Sequence, residues 1–201
     1  MSMDIHIFID DIRNASSADC VKYIQQFDII AQIHPESDFE TNSGFLPFRV
    51  EFPSCDFLKG KTFLSGFEMS TETHDYEYDL QNTKDTLSKK ANGIFRIFKK
   101  KENVANKDSE IFVVNPRIDE LLKKCGHTVF LDISSVDSFE PILALAFASY
   151  LAENCNGIIY YPHSDEYFDK DSIQEVFKHI SVFISELSPD SLVCHEFENW
   201  L

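Results

Sequence analysis

Apolar and polar residues alternate at the start of the chain. Ile5, Ile7 and Ile9 alternate with His6 and Phe8. This period of two residues predicts a β-strand with one buried face.

Further elements of the first half follow from the same kind of pattern. A short helix is predicted after Ser16 or Ser17, either of which can cap its first turn. Strands are predicted at 29–33, 45–52 and 62–69. The tripeptide Ser-Gly-Phe precedes one of the last two strands and lies within the other, which suggests an antiparallel pair with glycines at bends. Pro47 has no amide hydrogen, so it predicts that its strand lies at the edge of the sheet.

The second half alternates between strand and helix patterns. Asn115, Pro116 and Gly126 are a helix cap, a first helical residue and a helix end. A nearly all-apolar helix is predicted to be central and buried, and a final amphipathic helix is predicted to begin at Asp171. The order is strand 111–114, helix 115–126, strand 129–133, helix 138–154, strand 158–161 and helix from 171.

Together these patterns predict an α/β (α+β) fold, in which helices pack on a mixed β-sheet. Antiparallel strands are expected in the N-terminal half and a β-α-β-α-β-α order in the C-terminal half. The length of 201 residues fits one large domain or at most two small ones, and we predict a single domain, 1–201. Residues 72–107 show the weakest pattern and predict a mobile loop insertion.

Charge is the unusual feature of the composition. The net charge is −16, although residues 84–107 carry eight Lys or Arg against two Asp or Glu. Such a field repels nucleic acid and anionic membranes, and it attracts a basic protein partner. The predicted partner is therefore a basic protein, and neither nucleic acid nor membrane.

Cysteine usage and the apolar segments indicate the compartment. The five cysteines are dispersed along the chain, which is typical of a reducing environment. The first residues have no basic segment of the signal-peptide type, and the longest apolar stretch, 142–152, is too short to span a bilayer. We expect a cytoplasmic protein.

One acidic constellation suggests chemistry. Asp10 and Asp11 follow the first predicted strand, and Asp132 follows Val129-Phe130-Leu131. This resembles the acidic sites of response-regulator receiver domains, which implies a Mg²⁺-dependent or receiver-like alternative with these three residues. The lysine of that family's pattern has no counterpart after the strand 158–161. No zinc-ligand spacing and no glycine-rich phosphate loop occur either, so the favoured prediction is a protein without catalysis or cofactor.

Two acidic segments rich in aromatic residues are the predicted binding sites. Tyrosine offers rigid contact area, and neighbouring carboxylates can pair with Lys or Arg of a partner. The alternative is that both segments are ordinary surface loops. The candidate partner-binding residues are Glu72, Asp75, Tyr76, Glu77, Tyr78, Asp79, Asp165, Glu166, Tyr167 and Asp169.

A family resemblance adds a class of function. Ser43-Gly44-Phe45-Leu46-Pro47, then Ser65-Gly66-Phe67-Glu68, and the stretch 144–161 are similar to an uncharacterised bacterial family that shares a GFLP…SGFE block and looks immunity-protein-like. The resemblance implies an immunity-type protein, which binds a cationic toxin domain stoichiometrically and neutralises it. Its motifs are glycines and core residues, so they bear on the fold more than on the function.

Overall fold

The computed structural model describes residues 3–94, 111–134 and 136–200. Its helices are α1 (Ser17–Ile24), α2 (Tyr76–Ile94), α3 (Pro116–Leu122), α4 (Glu140–Asn154) and α5 (Ile173–Glu186). Its strands are β1 (Met3–Ile9), β2 (Ile30–Ile33), β3 (Gly44–Glu51), β4 (Phe63–Thr73), β5 (His127–Ile133), β6 (Ile158–Tyr161), β7 (Glu166–Phe168) and β8 (His195–Glu196). The predicted α+β class is confirmed.

Two compact units make up the chain. Residues 1–74 and 125–201 form the first, which holds all eight of these strands with α1, α4 and α5; we call it the sheet unit. Residues 75–124 form the second, which holds α2 and α3; we call it the helical unit. The assignment of residues 1–201 to a single domain stays a prediction.

The sheet has the strand order β2-β3-β4-β5-β1-β6-β7, and β8 pairs with one end of β4. Every pairing in the described part of the chain is antiparallel. The predicted strand-helix-strand order is present as β5-α4-β6. The parallel strands β5 and β6 are separated by β1, which pairs with both in the antiparallel sense. The sheet is therefore antiparallel where a mixed one was expected.

Two local expectations need correction. Residues 111–114 form no strand, and the short strands β7 and β8 were not predicted. Pro47 lies on β3, which is one strand in from the edge strand β2. The Pro47 carbonyl accepts from the amide of His34, the residue that follows β2. Because the nitrogen and the carbonyl of one strand residue point to the same side, the Pro47 nitrogen also faces the chain beyond the end of β2. No ladder hydrogen bond of β2 is lost there.

The core lies between the sheet and α4. All residues of α4 from Ile142 to Ala152 are buried, as its nearly all-apolar sequence predicts. Ser149 is the polar exception, and its hydroxyl donates to the Leu145 carbonyl. The Tyr150 hydroxyl accepts from the amide of Ser16, so the start of α1 is held against this central helix. None of the helices in the described ranges has the length and apolar character needed to cross a bilayer.

The helical unit occupies much of the segment for which a loop was predicted. The last residues of β4 and the 19-residue helix α2 cover 72–73 and 76–94, so a loop is wrong for these positions. Residues 95–107 lie outside the described residues. Helix α3 begins as predicted, because the Asn115 side chain accepts from the amides of Arg117 and Ile118 and Pro116 takes a first-turn position.

Candidate functional site

The sheet has two faces that carry different side chains. Along β1, Ile5, Ile7 and Ile9 are fully buried on the side where α4 packs. Asp4 and His6 alternate with them and therefore point to the opposite side. We call the side away from α4 the distal face.

Three carboxylates lie next to one another on the distal face. Asp132 of β5 pairs with Asp4 of β1 on one side and with Glu68 of β4 on the other, and all three are exposed. Directly opposed side chains of antiparallel strands lie about 5 Å apart, where like charges are destabilising. None of the ion pairs found within the described ranges involves these residues. We call this group the carboxylate row.

Four rings form a second row beside the first. Phe130, His6, Tyr160 and Tyr167 follow one another across β5, β1, β6 and β7, and their neighbouring centroids are 4.7, 5.6 and 4.3 Å apart. All four side chains are partly exposed. We call them the aromatic ladder. Along β1 and β5 it lies two residues from the carboxylate row, which is roughly 7 Å.

The central ring of this ladder has a perturbed pKa. Burial lowers the pKa of His6, and the negative charge of Asp4 only partly opposes this. The imidazole is therefore mainly neutral at pH 7, and it adds no positive charge that would neutralise the carboxylate row.

The two rows together are suited to one class of side chain. Carboxylates bind guanidinium groups through paired hydrogen bonds, and aromatic faces stack on the same planar group. The surface offers both kinds of group within the reach of one arginine side chain.

The predicted partner residues of the sheet unit fall in different places. Tyr167 belongs to the ladder, and Asp165 accepts from the Tyr160 hydroxyl at 3.2 Å. Glu72 is exposed on β4 opposite Thr128, again on the distal face. Glu166 is exposed one position from Tyr167, and strand alternation directs it away from the ladder.

Asp169 has a structural role instead. It is 4% exposed, and its Oδ1 accepts from the amides of Asp171 and Ser172 before α5. The predicted capping by Asp171 is thus replaced by hydrogen bonds to Asp169, two residues earlier.

The other predicted partner residues lie in the helical unit. Asp75, Glu77 and Tyr78 are exposed, and Asp79 is partly exposed. Tyr76 is buried, and its hydroxyl donates to Asp119 at 2.7 Å. It therefore does not offer exposed contact area as expected.

Asp119 shows why Tyr76 is buried. This fully buried carboxylate also accepts from the amides of Val113, Val114 and Asn115. Burial raises its pKa, but the hydrogen bonds from Tyr76 and the three amides outweigh that effect, and the net shift is downward. The Tyr76–Asp119 pair thus holds the segment before α3, which is a structural function.

The alternative acidic site is not assembled. Because β1 and β5 are antiparallel, Asp132 lies opposite Asp4 at the start of β1, whereas Asp10 follows its end. The six-residue separation along the strand is roughly 20 Å. Asp11 pairs with Arg13 at 2.5 Å, and hydrogen bonds from Arg13 lower the pKa of Asp11 to about 2. In the described part of the chain, no group of three His, Cys, Asp or Glu residues is arranged to hold a metal ion.

Sequence reasoning missed most of the distal face. Asp4, His6, Glu68, Phe130 and Tyr160 were not candidates, although each is the outward member of a strand alternation. The available signal was a polar or aromatic residue at every second position of β1 and β5. These residues become neighbours only because β5 pairs with β4, about 60 residues earlier in the chain, and with β1, about 120 residues earlier.

Comparison of the chain with models of protein families, with curated proteins and with solved structures finds no match.

Proposed function

We propose that this protein is an immunity-type inhibitor, which binds a cationic toxin domain through the distal face of its sheet. The carboxylate row carries the proposal. Three directly opposed carboxylates make the free protein less stable than neutral residues would. A basic partner removes that repulsion on binding, so the unfavourable arrangement of the free protein becomes favourable in the complex.

The aromatic ladder supplies the remaining part of the interface. Interface energy concentrates in rigid aromatic and arginine contacts, while surrounding charges accelerate the encounter. Tyr160 and Tyr167 are stacked at 4.3 Å, so they lose little conformational freedom when a partner side chain packs on them.

We place this activity in the cytoplasm. The structure places no disulfide among the cysteines of the described residues, and Cys20, Cys125 and Cys155 are buried. Burial raises the pKa of Cys125 to about 12 and that of Cys155 to about 11. These thiols are inert core residues, which a protein of a reducing compartment can retain without disulfides.

The test begins with the gene next to the one that encodes this chain. We expect a toxin with a basic C-terminal domain there, and we expect the two proteins to co-purify at 1:1 stoichiometry with loss of toxin activity. A toxin domain that stays active in the presence of excess protein contradicts the proposal. So does full survival of toxin-exposed cells that lack this gene.

A matched pair of variants tests whether the partner binds at the distal face. The first is Asp4→Asn/Glu68→Gln/Asp132→Asn, which neutralises the carboxylate row. The control is Glu36→Gln/Glu40→Gln/Asp56→Asn, which removes the same charge from exposed loop positions of the same unit. We expect the first variant to lose protection of toxin-exposed cells and the control to retain it.

A further inference from the structure

His6 lies within the aromatic ladder, next to the carboxylate row. Its ring contacts Phe130 of β5 and Tyr160 of β6, with centroids 4.7 and 5.6 Å away and interplanar angles of 72° and 68°. Such edge-to-face contacts are favourable, and they hold the imidazole between two larger rings. The side chain is partly exposed, and in the described part of the chain neither ring nitrogen takes part in a hydrogen bond. The ring is therefore held in place while its capacity for hydrogen bonding is unused.

His6 is also the one distal-face residue of β1, β5, β6 and β7, as the structure describes them, that can become positively charged. The negative charge of Asp4, two residues away, raises the pKa of His6, but burial lowers it and has the larger effect. Protonation would thus place a positive charge beside the carboxylate row. The other titratable groups on this side are Asp132 on β5, Tyr160 on β6 with Asp165 at its hydroxyl, Glu68 and Glu72 on β4, and His74, which contacts Phe8 and Thr128.

A neutral imidazole and an imidazolium interact with a cation in opposite ways. The neutral ring has one nitrogen that accepts a hydrogen bond, and a guanidinium group can donate it. In the protonated ring both nitrogens are donors, so the acceptor is lost. The added charge also repels a second cation. A proton and a cationic side chain of a partner therefore compete for the same ring.

We propose that His6 is a proton-sensitive contact for the cationic partner: its neutral ring accepts a hydrogen bond from an arginine side chain of the partner, and protonation of the ring releases that side chain. A guanidinium group carries five donors in a planar fork. One such group can pair with Asp4 and also donate to His6, which lies roughly 7 Å further along β1. This inference rests on the proposed binding of a basic protein at the distal face.

The direction of the pH effect follows from this competition. Because burial holds the pKa of His6 below its ordinary value of 6.5, the ring is mainly neutral at pH 7 and takes up a proton only on acidification. A bound cation lowers that pKa further, so binding of the partner and release of the proton are linked. Affinity is full at neutral pH and falls as the pH drops through the pKa of His6 in the free protein. For one linked proton the fall is at most about tenfold per pH unit.

Titration with acetylated hexa-arginine amide, followed by NMR spectra of the full chain, tests the inference. The peptide keeps its charge between pH 4.5 and 8, so any change in affinity over this range originates in the protein. We expect saturable amide shifts on β1, β5 and β6, a lower pKa of the His6 ring in the saturated complex, and weaker binding on acidification. Amide shifts confined to other parts of the chain overturn this inference together with the distal-face location of the binding site.

The variant His6→Gln separates the histidine from the carboxylates. Glutamine can accept the same hydrogen bond and takes up no proton, so affinity at pH 7.5 should stay within about threefold of the wild type, and its loss on acidification should be several-fold smaller. His179→Gln, which replaces an exposed histidine of α5, is the control and should keep the wild-type pH dependence. If wild type and His6→Gln lose affinity equally on acidification while the amide shifts stay on the distal face, the role of His6 is wrong and the binding surface stands.

The variant His6→Phe tests the hydrogen bond itself. Phenylalanine is favoured in strands and keeps a ring between Phe130 and Tyr160, but it has no acceptor. Peptide affinity at pH 7.5 is therefore expected to fall about three- to tenfold. Wild-type affinity in this variant would contradict the proposed contact.

Discussion

The two faces of one sheet differ in what their side chains contact. On the side of α4, Phe147 is fully buried, and its ring lies 5.1 to 6.4 Å from the rings of Phe39, Phe67 and Tyr150. On the distal face the carboxylate row is exposed and opposes like charge with like charge. The side of α4 thus buries aromatic rings, whereas the exposed part of the distal face places like charges opposite one another.

This difference separates stability from recognition. Residues that bury apolar area contribute to folding, and their presence says little about function. Residues that a stable scaffold holds in an unfavourable arrangement are better candidates for binding. A partner of opposite charge can remove a repulsion that persists in the free protein.

Removal of a core ring should have the largest effect. Phe147→Ala is expected to lower the free energy of unfolding by about 3–5 kcal/mol, through lost burial and the cavity left behind. The comparison variant is Phe45→Ala on the distal side, where the ring is 43% exposed and lies over Gly66; its loss should be about 1 kcal/mol. Urea denaturation followed by circular dichroism measures both. Similar losses in the two variants would show that the faces do not differ in stability.

Tyr76 and Tyr78 give the same contrast within the helical unit. Tyr76→Phe removes the hydroxyl that donates to buried Asp119 and should destabilise the segment before α3 by about 1–2 kcal/mol. Tyr78 is 65% exposed, so Tyr78→Phe should stay within about 0.5 kcal/mol of the parent. Hydrogen exchange at the amides of Val113 and Val114 is the measurement. Unchanged exchange in Tyr76→Phe would return Tyr76 to the partner-binding candidates.

Neutralising the centre of the carboxylate row should increase stability. Asp132 lies between Asp4 and Glu68, so Asp132→Asn relieves two repulsions and should raise the free energy of unfolding by about 0.2–1 kcal/mol. The gain should shrink as salt is added. Thermal unfolding at low and high ionic strength checks this. A destabilised Asp132→Asn would mean that the row contributes to the fold.

The smallest expected effect is the difference in how the stabilities of the wild type and Asp137→Asn depend on pH. Burial raises the pKa of Asp137 above its ordinary value of 3.8, so the folded protein holds this proton more tightly than the unfolded chain. Wild-type stability therefore falls as the pH rises from the ordinary pKa through the raised one, and the loss persists above it. The Asp137→Asn variant has no such loss, because its amide does not titrate. Stability curves across pH 4–8 should diverge in favour of the variant, and parallel curves would contradict the burial of this charge.

Local signals in the sequence were sufficient to predict most helices and strands, but few of the contacts between them. Asn115 and Pro116 predicted the start of α3, and the continuous apolar run predicted α4, because caps and periodicity act over a few residues. The three-residue strand β7 carries too short a pattern to recognise. The acidic-aromatic segments were identified by composition, which could not distinguish the buried Tyr76 from the exposed Tyr78.

The distal face could not be predicted for a different reason. Asp4, Glu68 and Asp132 become neighbours through strand pairing over long sequence distances, and a change of one residue in register would move each side chain to the other face. The expected site of Asp10, Asp11 and Asp132 is not assembled for the same reason, because the antiparallel pairing of β1 with β5 places Asp132 opposite Asp4.

The most direct test of the central claim is the affinity of the cationic toxin domain for the two triple variants. Isothermal titration calorimetry should show that Asp4→Asn/Glu68→Gln/Asp132→Asn binds about 10- to 100-fold more weakly than the parent, while Glu36→Gln/Glu40→Gln/Asp56→Asn stays within about threefold. Equal affinities of the two variants would contradict recognition through the distal face.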